Sequence, residues 1–266
     1  TYLPGIIKKK YLKKKKNLKE NGFLMFLYKN RIVVTGGKGR FAGVIKKNVK
    51  NFRFSFLFPD RRELNILSLS SIKKYLKKKK PKYLLHLAAL SRPMEIHDKD
   101  ICQSIDKNII GTANITKACS EYNVKLIYMS TCYVYPGTKG NYDEKSSIFP
   151  INNYAWSKLG GECSVRLYEN SLILRASITE KPFVHKSAFV DFKTNFIFHD
   201  DLLPKILKLL DQKGVINVGG KSQTVYNFVK KYNPKIKKNS AKKVLGKSAP
   251  LNITMNLKKF KKLIND

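Results

Sequence analysis

Arg31-Ile-Val-Val-Thr35 runs straight into Gly36-Gly37-Lys38-Gly39-Arg40-Phe41-Ala42, and this junction constrains the fold more than any other stretch of the chain. The β-branched run reads as a short buried strand, and Phe41 to Ile45 can start a helix. Between them Gly36, Gly39 and Ala42 fit the pattern G-x-x-G-x-x-[G/A]. Each small residue meets a steric demand: a tight turn, a close approach of backbone to a pyrophosphate, and helix packing on strand. The helix N-terminus then offers free N–H groups and a positive dipole end to the anion. Gly37, Lys38, Arg40 and Phe41 complete this expected phosphate loop.

The strand-then-helix rhythm continues downstream. Phe52 to Phe58 reads as a second strand ended by Pro59, Ser68 to Lys80 as a helix, and Tyr83 to Leu87 as a third strand. A long helix is expected over 100–122, a fourth strand over Val124 to Met129 ending at Ser130, a helix over Ile151 to Leu167, and a fifth strand over Ser171 to Arg175. Strands alternating with helices imply crossover units and a parallel sheet. The expected class is α/β, a doubly wound parallel sheet (Rossmann fold) with a small C-terminal substrate-binding lobe. Past Ser177 the pattern becomes irregular, with helices near 201–211 and 222–231 and a short strand at Val215 to Val218. The expected division is a dinucleotide-binding domain over 25–177 and a small lobe over 178–266, interleaved with the main domain.

About twenty residues beyond such a loop, a dinucleotide site often presents an acid to the adenosine ribose. Here the second strand ends in Phe58-Pro59-Asp60-Arg61-Arg62. Asp60 suits the ribose hydroxyls of NAD(H), while Arg61 or Arg62 suits the 2′-phosphate of NADP(H). A solvated turn explains the same residues equally well. Lys38 and Arg40 inside the loop tilt the balance toward NADPH.

Tyr154 and Lys158 lie four apart at the start of a predicted helix and so share one face. The pair means little alone, because five Tyr/Lys pairs at this spacing occur in a chain with 14 tyrosines. Only this one follows a hydroxyl-bearing strand end, Ser130-Thr131, by 23 residues and opens an apparent helix more than a hundred residues after the glycine loop. A nearby ammonium is expected to favour the phenolate and lower its pKa toward the working range. Thr131 leaves its strand at the edge where doubly wound sheets bind ligands. The implied chemistry is hydride exchange at a carbonyl or carbinol carbon, with Tyr154 moving the proton and Thr131 holding the carbonyl.

With those residues in view, the chain resembles the extended short-chain dehydrogenases/reductases, in particular the dTDP-4-dehydrorhamnose reductase branch of nucleotide-sugar enzymes. The resemblance rests on Val-Thr-Gly-Gly-Lys-Gly-Arg-Phe-Ala (34–42), His-Leu-Ala-Ala (86–89) and Asn-Ile-Ile-Gly-Thr-Ala-Asn (108–114). It continues through Ser-Thr-Cys-Tyr-Val-Tyr-Pro-Gly (130–137), Tyr154 and Ser157-Lys-Leu-Gly-Gly-Glu162, and closes on Leu-Ile-Leu-Arg-Ala-Ser (172–177). It implies catalytic roles for Thr131, Tyr154 and Lys158, with Lys158 also holding the nicotinamide ribose. Ala88 and Ala89 would line the cofactor cleft, and Asn108 would brace the site. A nucleotide-diphosphate sugar is the implied substrate and reduction of its keto group the implied reaction. An epimerase that returns the hydride to its substrate is the alternative within the enzyme class. Two departures stand out: Cys132 replaces the acid that follows the catalytic Thr in rhamnose-type reductases, and the stretch Ile178 to His185 is short and unusual. Cys132-Tyr133 also argues against dehydration, which uses an Asp-Glu pair there.

Composition bears on the third alternative, a non-catalytic dinucleotide-binding protein or basic scaffold. The formal net charge is +36, yet lysine outnumbers arginine 46 to 8. Arginine is the residue that reads bases and grips phosphates bidentately, so nucleic acid is not the expected partner. The four cysteines and four histidines show no metal-ligand spacing, and a reduced, cytoplasmic setting is the default. No run approaches the length of a membrane span. The lysine-rich residues 1–24 read as a disordered basic leader ahead of Met25. The oligomeric state stays open, a homodimer included.

Overall fold

Six strands of the chain form one parallel sheet, and the residues that enter it are the β-branched and aliphatic runs. The computed structural model describes residues 30–246 and 249–265; the leader read at 1–24 lies outside the described residues. The strands are β1 (Arg31–Thr35), β2 (Ser55–Leu57), β3 (Tyr83–His86), β4 (Lys125–Thr131), β5 (Ser171–Ala176) and β6 (Gly214–Val218). Their spatial order is β6-β5-β4-β3-β1-β2. From β1 the chain runs to β2 on one side and to β3 on the other, which creates a switch point and a crevice at the strands' C-terminal ends.

Alternation along each strand sends side chains to two faces, and helices cover both. On one face Val33, Leu84, Leu126 and Ile173 pack with Ile72 and Leu76 of α1's successor helix and with Ile115 and Val165. Those partners come from α2 (Leu69–Lys79), α3 (Gly111–Glu121) and α4 (Asn153–Arg166), numbered after α1 (Arg40–Asn48). On the other face Ile32, Leu85, Leu172 and Ile216 pack with Phe41 and Ile45 of α1 and with Leu202, Leu203 and Ile206 of α5 (His199–Lys208). Every residue of β4 and β5 is buried, as expected for central parallel strands.

Val215 to Val218, read from sequence as part of the lobe interleaved with the main domain, belong to β6, which pairs in parallel with β5 from Gly214↔Leu172 to Val218↔Ala176. Phe192, Ile197, Phe228 and Phe260 also belong to the same buried cluster as Ile32 and Leu85. Residues after 177 therefore share the main core, with β6 taking the place of β5 at the edge of the sheet. The long helix expected over 100–122 runs without a break from Ile101 to Glu121, with a π-helical stretch Ile105–Ile110 between Ile101–Ser104 and α3.

Candidate active site

The glycine loop closes against the strand beside it. Gly36 has φ +71°, and a Cβ there would lie 2.9 Å from both Cα and N of Ala88. Both the backbone angle and the contact demand glycine. Gly39 N–H donates to Gly36 O at 2.7 Å, and Gly39 caps α1 without a side-chain bond. The Thr35 hydroxyl pins the neighbouring loop by accepting from Leu87 N–H at 3.2 Å and Ala88 N–H at 3.1 Å. His86 Nδ1 meets Thr35 Oγ1 at 2.7 Å and its Nε2 meets Thr112 Oγ1 at 3.1 Å. Burial pushes this imidazole down to about 3, so it is a neutral strut.

Around the loop, Gly37 packs against Phe58, and Phe41 is buried with its ring stacked on His199 at 4.7 Å. Ala42 is buried where α1 meets the sheet, and Ala89 is half-buried in the pinned loop. Lys38 and Arg40 are exposed. Asp60 Oδ1 accepts from Arg62 N–H at 2.8 Å and Glu63 N–H at 3.0 Å, which holds its carboxyl below the usual range. One oxygen of the expected ribose acceptor is thus committed to its own turn, with Arg61 exposed beside it.

Thr131 is the last residue of β4 and buried, and its Oγ1 accepts from Tyr133 N–H at 3.2 Å. The Asn152 side chain caps α4 by accepting from Ala155 N–H at 2.8 Å, which sets Tyr154 in the first turn. Burial pushes the Tyr154 phenol up to about 12, against a lowering pull from the Thr131 hydroxyl and from Arg92 and Arg40. The expected lowering by lysine is therefore corrected. Lys158 Nζ lies instead over the Tyr128 ring, 4.2 Å from its centroid. Burial brings Lys158 down to about 7, with Glu162 pulling upward. At neutral pH the Tyr154 phenol therefore carries its proton.

Asn108, fully buried in the π-helical stretch, joins the loop after β3 to α4. Its Oδ1 accepts from Leu90 N–H at 2.8 Å, and its Nδ2 donates to Leu90 O at 2.9 Å and Ser157 Oγ at 2.8 Å. Ser157 in turn donates to Tyr154 O at 2.7 Å. A π-helical turn re-aims side chains that a regular helix would point elsewhere.

Sequence reasoning missed several residues that meet these groups. His97, whose ring is 5.2 Å from that of Tyr154, is buried and bonded to Ser104 at 2.7 Å through Nδ1. Arg92 and Glu180 pair across the cleft at 3.0 Å, 88 positions apart in sequence. Cys132 is buried, and burial pushes its thiol up to about 12. No local pattern marks the first three; only the position of Cys132 after Thr131 drew notice.

The family model described as RmlD substrate binding domain matches residues 30–190. The methionine adenosyltransferase 2 subunit beta of Xenopus laevis is 29% identical over 156 residues, covering 56% of this chain and 46% of that protein. The dTDP-4-dehydrorhamnose reductase of Aggregatibacter actinomycetemcomitans is 27% identical over 195 residues, covering 71% and 62% respectively. The chain thus spans about half the length of the first of these curated relatives. Among solved structures, the dTDP-4-dehydrorhamnose reductase of Bacillus anthracis in complex with NADP superposes with a TM-score of 0.77 at 22% identity. That match covers 88% of this chain and 91% of the other.

Proposed function

The chain belongs to the RmlD substrate binding domain family, and we propose that it is an NAD(P)-dependent oxidoreductase that reduces the keto group of a nucleotide-activated sugar. The observation that carries this reading is the meeting of three elements at one sheet edge. The glycine loop, the Thr131 hydroxyl and a protonated Tyr154 phenol all lie at the C-terminal ends of the strands. The residues fit a dinucleotide: Gly36 and Gly39 leave no side chain where backbone must approach a diphosphate, and Lys38 and Arg40 add positive charge. Those two cations favour NADP(H) over NAD(H), in keeping with the NADP in the Bacillus anthracis relative.

When bound, the nicotinamide supplies a hydride. The chain's own residues supply the rest. Thr131 donates a hydrogen bond to the sugar carbonyl and orients it, while Tyr154 gives its proton to the oxygen as negative charge develops there. Lys158, its amine over the Tyr128 ring, holds a ribose hydroxyl. The keto sugar of a dTDP- or UDP-linked substrate is the class this arrangement suits. Purified protein should consume NADPH when offered 4-keto-6-deoxy nucleotide sugars, read at the nicotinamide absorbance band. An epimerase with a retained cofactor would show no net consumption. Gly36→Val should abolish NADPH binding, and undiminished affinity in that variant would remove this placement of the cofactor.

A second reading, a non-catalytic dinucleotide-binding subunit, is favoured by Cys132. Its thiol is un-ionised at neutral pH, so it brings none of the negative charge of the carboxylic residue found there in rhamnose-type reductases. The relative named as a methionine adenosyltransferase subunit belongs to the same comparison. Tight NADPH binding with no consumption across the sugar panel would favour this second reading.

A further inference from the structure

The segment after β5 brings one carboxylate to the mouth of the cleft, where two arginines from different elements share it. Arg40 Nη1 lies 2.9 Å from Glu180 Oε1, and Arg92 Nη1 lies 3.0 Å from the same oxygen. Arg40 is the first residue of α1, immediately after the glycine loop, and Arg92 belongs to the loop that leaves β3. Arg40 also reaches Ser91 Oγ at 3.5 Å. The Glu180 side chain is 13% exposed, against 47% for Arg40 and 37% for Arg92.

The second carboxylate oxygen is the anomaly. Glu180 Oε2 is buried and has no hydrogen-bond partner among the described residues. A buried charged acceptor left unmade is costly, and native structures hold few of them. The arginines are underused here: of five donors each, Arg92 donates one to this oxygen, while Arg40 pairs with the oxygen at 2.9 Å and turns Nη2 to Ser91. Their field extends to both neighbouring functional groups, Tyr154 and the His199 ring stacked on Phe41. The cluster therefore lies between the phosphate loop and the proton donor.

We infer that Arg40 and Arg92 form a diphosphate-binding site in which Glu180 is a resident competitor, displaced when the ligand arrives. A diphosphate offers each guanidinium a pair of oxygens in the bidentate geometry that a shared carboxylate oxygen lacks. The inference rests on the reading of the chain as a dinucleotide-binding protein, and it adds Arg92 and Glu180 to the site. The diphosphate has two sources, the dinucleotide lying on the glycine loop and the nucleotide sugar entering from the opposite side. Glu180 thereby sets affinity by competition, so removing it should strengthen binding.

The test is calorimetric titration of the full chain and of Glu180→Gln, Arg92→Gln and the double variant. NADPH, dTDP and inorganic pyrophosphate serve as separate probes. Glu180→Gln should bind its ligand roughly three- to tenfold more tightly, and Arg92→Gln about tenfold more weakly. In the double variant the gain should shrink without vanishing, because Glu180 competes for Arg40 alone once Arg92 is gone. A gain for NADPH alone assigns the dinucleotide, and a gain for dTDP alone assigns the sugar nucleotide. If the Gln variant fails to fold by thermal melt, Glu180→Ala takes its place. Unchanged or weaker binding of both nucleotides in a folded Glu180 variant overturns the inference while leaving the oxidoreductase reading intact. The predicted pattern with pyrophosphate, in a protein that does not bind NADPH, would sink that reading and keep the inference. Binding of none of the three by the unaltered chain would sink both.

Discussion

At the scale of single residues, burial decides the protonation states on which the chemistry depends. Tyr154 is pushed up to about 12 and Lys158 down to about 7. The tyrosine thus stays protonated across the neutral range, while the lysine changes charge within it. On the proposal that the ammonium holds the ribose, NADPH affinity should be full near pH 6 and fall as the pH rises through about 7. Lys158→Met should bind weakly at every pH and lack that decline. Fluorescence titration at several pH values checks this, and an identical decline in the Met variant would assign it to another group. The same shift affects folding: between about 7 and the ordinary lysine value of 10.5 the unfolded chain holds a proton that the folded one does not. This group's contribution to stability therefore rises with pH over that window. The two values were not legible in sequence, because spacing places Tyr154 and Lys158 on one face but says nothing of the Tyr128 ring beneath the amine.

Between elements, the contact of α4 with the π-helical stretch holds Tyr154 in register. A Cβ at Gly161 would lie 2.5 Å from Asn108 O and 2.7 Å from the Tyr128 hydroxyl, both fixed groups. At Gly160 it would meet only the tip of the Ile109 side chain, at 2.8 Å. Gly161→Ala should therefore lower the melting temperature, at a cost of about 1–3 kcal/mol. Gly160→Ala should be neutral or slightly stabilising, since Ile109 can rotate and alanine favours the helix. Equal melting temperatures for the two variants would contradict this packing. The strands were legible as elements, because Arg31–Thr35, Tyr83–His86 and Ser171–Ala176 are apolar runs bounded by breakers. Their partners were less so. Gly214–Val218 joins β5 across some forty positions, and the choice of a sheet edge over a separate lobe leaves no trace in its five residues. The π-helical turn likewise has no composition of its own, and its consequence, Asn108 reaching both Leu90 and Ser157, appears only in three dimensions.

For the whole molecule, the charge of +36 acts on stability more than on fold. Among the described residues only Lys125 and Lys158 are buried lysines, so the remainder form a repelling, solvated surface. Raising salt from roughly 0.01 to 0.15 M shortens the Debye length to about 8 Å and should raise the melting temperature. A melting temperature indifferent to salt would show that the lysines are already compensated. Among the described residues no helix is long and apolar enough to cross a membrane. In the proposed reaction this chain moves a hydride from NADPH to a keto sugar and Tyr154 supplies the proton. The most direct measurement follows NADPH oxidation by a dTDP-linked 4-keto-6-deoxy sugar in the unaltered chain and in Tyr154→Phe, with cofactor binding measured in both. The account predicts oxidation by the unaltered chain and a rate roughly two to four orders of magnitude lower in the variant, with NADPH binding retained. Equal rates in the two proteins would contradict it.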